Sequence, residues 1–173
     1  MGSHINRIPA AQSGEYRIEK YRGYTRLWKG DLQIMIDSPK EAADLAEFRE
    51  KVHGDVLING LGIGFALEMA LDKSTVDLVV VNEISKDVIN LVGPYFVDNR
   101  LTINHADAFA ARLPKDMMFD IIWHDICFTE QDMTFFRLCE LHACYTKRLK
   151  KGGWQCSWEE AHLGYRLQKI GVP

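Results

Sequence analysis

Fourteen residues, Asp55-Val-Leu-Ile-Asn-Gly-Leu-Gly-Ile-Gly-Phe-Ala-Leu-Glu68, constrain the fold of this chain more than any other stretch. Val56, Leu57 and Ile58 read as a short buried strand, and a helix-forming run starts almost at once behind Gly60, Gly62 and Gly64. Glycines at such a junction let a ligand approach the backbone where Cβ atoms would clash. The helix N-terminus behind them offers unpaired N–H groups and a partial positive charge. A tight turn that binds nothing uses the same residues, so the loop alone does not decide between the two readings.

The rest of the chain supplies the context. Its 173 residues are enough for one domain with a real core. A formal net charge of −3 gives no basic footprint for nucleic acid. No apolar run approaches the roughly 18 residues of a membrane span, and Met1-Gly-Ser-His-Ile-Asn-Arg7 lacks the apolar centre of a secretory signal. Cys127, Cys139, Cys144 and Cys156 match neither a paired Cys-x-x-Cys framework nor a zinc spacing, which predicts reduced thiols, a cytoplasmic setting and no metal site.

Residues 1–14 read as a flexible lead-in, and residues 15–37 as a small β-hairpin or meander broken at Arg22-Gly23 and Lys29-Gly30-Asp31. Ser38, Pro39 and Glu41 form a helix start with the elements of a capping box, and the helix is expected to run to about Val52. From there strands alternate with helices: strand 56–59, helix 63–73, strand 76–83, helix 86–96, and strands 101–106 and 119–125. Helix 130–149, strand 154–158 and a helical tail, 159–169, complete the series. This alternation predicts a doubly wound, mostly parallel Rossmann-like α/β domain over 38–173. Val76–Val81 and Phe119–Trp123 are nearly continuous apolar runs, as strands covered on both faces should be.

Ligands of such sheets bind at the carboxyl ends of the strands. Three successive strands place an acid there: Glu83, nineteen positions beyond Gly64, then Asp107, then Asp125. An acid about 20 residues after the loop is positioned to grip a ribose diol. The Gly60-x-Gly62-x-Gly64 spacing departs from the dinucleotide fingerprint, and no Gly-Lys-Ser/Thr follows it, which points away from NAD and ATP. His124 is read either as a general base or as a histidine that is solvated or supports the site from behind. His105 is expected to be packed or edge-exposed. Trp154, Gln155 and Trp158 are assigned either to an acceptor pocket or to the core. The Tyr16, Tyr21, Tyr24 and Trp28 group is read first as the apolar face of the small sheet and second as a cover over a substrate.

Five phrases carry a resemblance: Val56–Gly64, Val80–Ile89, Asn104–Ala108, Phe119–Asp125 and Leu149–Gly153. On them, about residues 32–158 resemble class I S-adenosylmethionine-dependent methyltransferases, and within that group the spermidine synthase-like branch and small phage-encoded proteins of that type. The resemblance implies a transferase using S-adenosylmethionine or its decarboxylated form, with a small-molecule acceptor. Methyl transfer is the first expectation, aminopropyl transfer the second and a non-catalytic nucleotide-binding module the third. A phage origin would place the protein in the host cytoplasm. Carried over by position, Asn59, Gly60, Gly62 and Gly64 would pass beneath the methionine part of the ligand. Glu83 would hold the ribose, and Asp107 with Ala108 the adenine. Asp125, with His124, would face the acceptor, and Gln33 and Asp37 fall where polyamine synthases contact substrate. Two departures stand out. Phe128 occupies the place of the second acid of the Asp-x-x-Asp pair used in aminopropyl transfer. Only about twenty residues follow Gly153, so the sheet stops after the fifth core strand, and a homo-oligomer is one way to cover its edge.

Overall fold

The computed structural model describes residues 3–126, 134–158 and 160. Two sheets carry the fold. The first is an antiparallel meander in the order β1 (Ala11–Ser13), β2 (Tyr16–Tyr21), β3 (Tyr24–Lys29) and β4 (Leu32–Ile36). Pairing of Tyr21 with Tyr24 and of Lys29 with Leu32 leaves two-residue connections at Arg22-Gly23 and Gly30-Asp31, the loop length that tight hairpins favour.

Ser3 to Gly14 differs from the expected flexible lead-in. A single helical turn, α1 (His4–Arg7), buries Ile5 and Ile8 completely, and β1 adds a strand to the meander. The Glu68 carboxylate accepts from Ser3 Oγ at 2.8 Å and from the backbone N–H groups of His4 and Ile5. Two isoleucines three positions apart anchor this segment, and so short a stretch has no room for a periodic signal.

The helix expected from Ser38 to Val52 is bent into α2 (Pro39–Asp44) and α3 (Ala46–Lys51) at Leu45. Ser38 Oγ caps the N–H of Glu41 at 3.4 Å. Glu41 does not return the bond to Ser38. Its carboxylate accepts instead from the N–H of Ile36 at 3.2 Å, which ties the helix to the end of β4.

The second sheet is built from β5 (Gly54–Asn59), β6 (Val76–Glu83), β7 (Leu101–His105), β8 (Phe119–His124) and β9 (Leu149–Ser157). All pairs are parallel and the order is β7-β6-β5-β8-β9, a Rossmann-like arrangement with its reversal between β5 and β8. Helices α4 (Phe65–Leu71), α5 (Lys86–Val92) and α6 (Thr134–Tyr145) connect the strands. Alternate residues of each strand enter different cores. Val56, Ile58, Val79 and Val81 pack with α4, α5 and the meander, whereas Leu57, Val80 and Ile122 meet Leu141 and Tyr145 of α6. Burial on both faces explains why the middle of each of these strands is apolar at successive positions. Strand β9 starts at Leu149, earlier than the expected 154, and α6 ends at Tyr145 rather than 149. Cys127, Phe128, residues 130–133 and nearly all of the expected tail at 159–169 lie outside the described residues. Among the described residues, no helix is long and apolar enough to cross a membrane.

Candidate active site

Strands β5, β6 and β8 end side by side at the reversal in strand order, and the register aligns Asn59 with Asn82 on one flank and His124 on the other. The chain leaves β5 through Gly60, whose N–H donates to the Asn82 carbonyl at 2.8 Å. Gly60 has φ +100°, and a Cβ there would run into the Asp125 carbonyl, so only glycine lets the two strand ends lie this close. Gly62 is crowded from the other side. A Cβ there would sit 2.7 Å from Sδ of Met35, a residue of β4, and the N–H of Ile63 lies 3.4 Å from the same sulfur. The meander therefore packs directly on the glycine loop.

A cavity of about 600 Å³ opens over this loop, a size that suits a nucleoside-like ligand. Gly60, Gly62, Asp107 and Ala108 line it, as do Glu83 and Asp125. Asn59 stands directly below, fully buried. Gly64 lies at the N-cap of α4 and packs against Phe96 rather than lining the cavity. The opposite wall comes from the meander and α2, through Tyr16, Gln33, Met35 and Glu41. Asp37, by contrast, accepts from the N–H of Thr25 at 2.6 Å and does not line the cavity. Trp158 joins the cavity wall, while Trp154 stacks on Trp123 in the core with ring centroids 6.0 Å apart.

Glu83 is 7% exposed, and each carboxylate oxygen holds one backbone N–H, Leu61 at 2.8 Å and Ser85 at 2.8 Å. It braces the loop and still has lone pairs toward the cavity. Asp107 is exposed at the far end, and its Oδ1 accepts from the N–H of Phe109 at 2.9 Å. Asp125 differs from both. Its Oδ2 is buried and makes no well-aligned hydrogen bond among the described residues, the nearest donor being the Trp123 indole. Burial, and then the charge of Glu41, push this carboxyl up to about 7; the Trp123 indole acts against them and the charge of Glu83 with them. Glu41 is likewise pushed up to about 7, by burial first, with its bond to Ile36 working in the other direction. Nothing in the sequence marks Glu41 for the cavity, because a helix-cap role accounts for it fully.

His124 does not reach the cavity. It is fully buried, with its Nδ1 2.9 Å from the amide head of Asn59 and its Nε2 3.0 Å from that of Gln155. Burial, then the proximity of His142, hold its pKa well below the ordinary histidine value. The polar layer extends further. Asn82 and Asn104 continue it across β6 and β7, and the Tyr145 hydroxyl donates to the Ala108 carbonyl at 2.6 Å beside Asn59. His105 lies exposed at the end of β7, its Nε2 3.0 Å from the Ile84 carbonyl.

No family model and no curated protein matches the sequence. Solved structures do. A spermidine synthase in complex with the transition state analogue AdoDATO is 20% identical, with 87% of this chain and 57% of that one covered and a TM-score of 0.65. Spermidine synthase from Thermotoga maritima is 20% identical, with 87% and 55% covered and a TM-score of 0.61. The N-methyltransferase NodS from Bradyrhizobium japonicum WM9, in complex with S-adenosyl-L-homocysteine, is 16% identical, with 70% and 62% covered and a TM-score of 0.55. The chain thus spans little more than half the length of these spermidine synthases. It has the fold shared by S-adenosylmethionine-dependent methyltransferases and spermidine synthases.

Proposed function

We propose that the chain is a transferase that binds S-adenosylmethionine, or its decarboxylated form, over the glycine loop and serves a small basic acceptor. The observation that carries this reading is Asp125, a carboxyl pushed up to about 7 at the end of β8, lining the same cavity as Glu41 and Glu83. The donor set fits the ligand. Glu83 offers acceptor lone pairs for vicinal ribose hydroxyls, Asp107 an acceptor for an adenine amino group, and Ala108 a small wall for the ring. The lining sets Glu41, Glu83, Asp107 and Asp125 against Lys29 and Arg137, a surplus of carboxyl groups that suits a positively charged sulfonium and a basic acceptor alike.

When bound, the cofactor supplies an already activated carbon on sulfonium, so the protein has mainly to place an acceptor and exclude water. Asp125 orients the acceptor and takes up the proton that an amine must lose. A carboxyl with a pKa of about 7 is divided between its two protonation states near neutrality, which matches that task. Glu41 adds a second carboxyl on the facing wall, titrating in the same range. His124 stays below the floor, without access to substrate.

Methyl transfer is the first reading. Aminopropyl transfer is the second, favoured by one observation: the alignments with spermidine synthases span 87% of the chain, whereas that with NodS spans 70%. Calorimetric titration with S-adenosylmethionine, its decarboxylated form and S-adenosylhomocysteine, followed by mass analysis of products from a pool of amines, tests both. A methylated amine supports the first, an aminopropylated amine the second, and binding without product the non-catalytic module. Absence of binding by all three ligands removes the proposal.

A further inference from the structure

Beneath the cavity, one layer of polar side chains crosses the five parallel strands. Asn104, Asn82, Asn59 and His124 are register partners on four of them, and Gln155 of β9 closes the row against His124. Asn59, Asn82, His124 and Gln155 are each no more than 4% exposed. Buried polar layers are stable only when every donor meets an acceptor. The nitrogen and oxygen of an amide head have nearly the same shape, so balance across the layer fixes which way each one points.

The fixed point is the backbone carbonyl of His142, which only accepts. Gln155 therefore presents its NH2 there, at 3.1 Å. The same nitrogen lies 3.0 Å from His124 Nε2 and has only hydrogens to offer. His124 Nε2 must then carry a lone pair, and a neutral ring places its proton on Nδ1. At 2.9 Å, Nδ1–H requires an oxygen from Asn59. Asn59 in turn directs its NH2 to the Asn82 oxygen and to the Tyr145 hydroxyl, which donates its own proton to the Ala108 carbonyl. Asn82 passes its NH2 on to the Asn104 oxygen. The opposite direction, with Asn82 Nδ2 donating to Asn59 Oδ1 and Asn59 Nδ2 to His124, fails twice. It sets two donors against each other at Gln155 and His124, and it asks the one Tyr145 proton to serve both Asn59 and Ala108.

We infer that His124 is a positioning residue: as the neutral Nδ1–H tautomer it fixes the direction of a hydrogen-bond chain running from Gln155 through Asn59 to Asn104. The branch through Tyr145 holds the carbonyl of Ala108 at the cavity wall. Gly60 is tied to the same layer through the Asn82 backbone carbonyl. The ring thus orients the loop and the Ala108 wall without touching a ligand. The part of this inference that concerns ligand binding rests on the proposed function, whereas the tautomer does not.

Nitrogen-15 NMR of the histidine ring in the full chain at neutral pH tests the chain itself. The expected spectrum has a protonated Nδ1 and an unprotonated Nε2 for His124, the signal being assigned by its loss in His124→Gln. An Nε2–H tautomer or an imidazolium overturns the inference. Calorimetry with S-adenosylhomocysteine tests the positioning role. His124→Gln can still donate to Asn59 and accept from Gln155, and should stay within about threefold of the parent affinity, whereas His124→Leu should lose about tenfold or more. Equal affinities in the two variants overturn the role. If either variant fails to fold, the parent spectrum still decides, with the His124 ring assigned through its couplings to its own backbone resonances. The expected tautomer in a chain that binds no nucleoside would leave the hydrogen-bond chain standing and refute the proposed function instead.

Discussion

Glu83 Oε2 accepts from the backbone N–H of Leu61 at 2.8 Å, so the acid closing β6 holds the glycine loop in place before any ligand arrives. Two roles therefore meet in one side chain. Glu83→Ala should lower unfolding stability by about 1–3 kcal/mol, because buried N–H groups lose their acceptor. It should also weaken binding of S-adenosylmethionine by about 1.5–3 kcal/mol, the worth of charge-assisted bonds to a diol. Denaturant unfolding and calorimetry read the two effects separately. Lost stability with unchanged affinity would leave Glu83 as a loop brace alone.

Gly60→Ala puts a Cβ against the Asp125 carbonyl at a residue with φ +100°. Backbone strain costs about 1–3 kcal/mol and overpacking about 1–3 kcal/mol more. A lowered midpoint in urea with the same slope is expected, together with weaker ligand binding as the loop shifts.

Asp125 and Glu41, each pushed up to about 7, predict the pH dependence of stability. Between an unfolded value near 4 and the folded value of about 7, the native state holds more protons than the unfolded chain. Stability should therefore be highest on the acid side of that window and fall as pH rises through it. In Asp125→Asn the slope should shrink, since one of the two groups no longer titrates. Thermal unfolding across the window checks this.

The same carboxyl sets the expected rate profile. Transfer should rise with pH as Asp125 loses its proton, levelling off above about 7. Asp125→Asn should slow transfer by about 10²–10⁴-fold while leaving nucleoside binding within a few-fold. An unchanged rate would assign the proton to another group.

Ile8→Ala tests the docked N-terminal segment. Ile8 is fully buried, so the cavity left behind should cost about 2–4 kcal/mol. Unfolding measured by circular dichroism would register it, and an effect near zero would return the segment to the flexible state that its sequence suggests.

The parallel sheet is legible in the order of residues along the chain. Nearly continuous apolar runs such as Val76–Val81, broken only at Asp77, are read from residue order alone, because a strand covered on both faces shows little polar alternation. The same order also places Glu83, Asp107 and Asp125 at one sheet edge, since the end of a strand is a local property. Tertiary structure decided what those residues face. Glu41 enters the cavity because β4 and α2 fold over the glycine loop, and no local pattern distinguishes that from a helix cap. His124 follows Trp123 and precedes Asp125 in sequence, yet it sinks into a layer completed by Asn82, Tyr145 and Gln155, which come from three other elements. Side chains brought together from distant strands settle their protons and their burial only in each other's company, and that is where the sequence stops being informative.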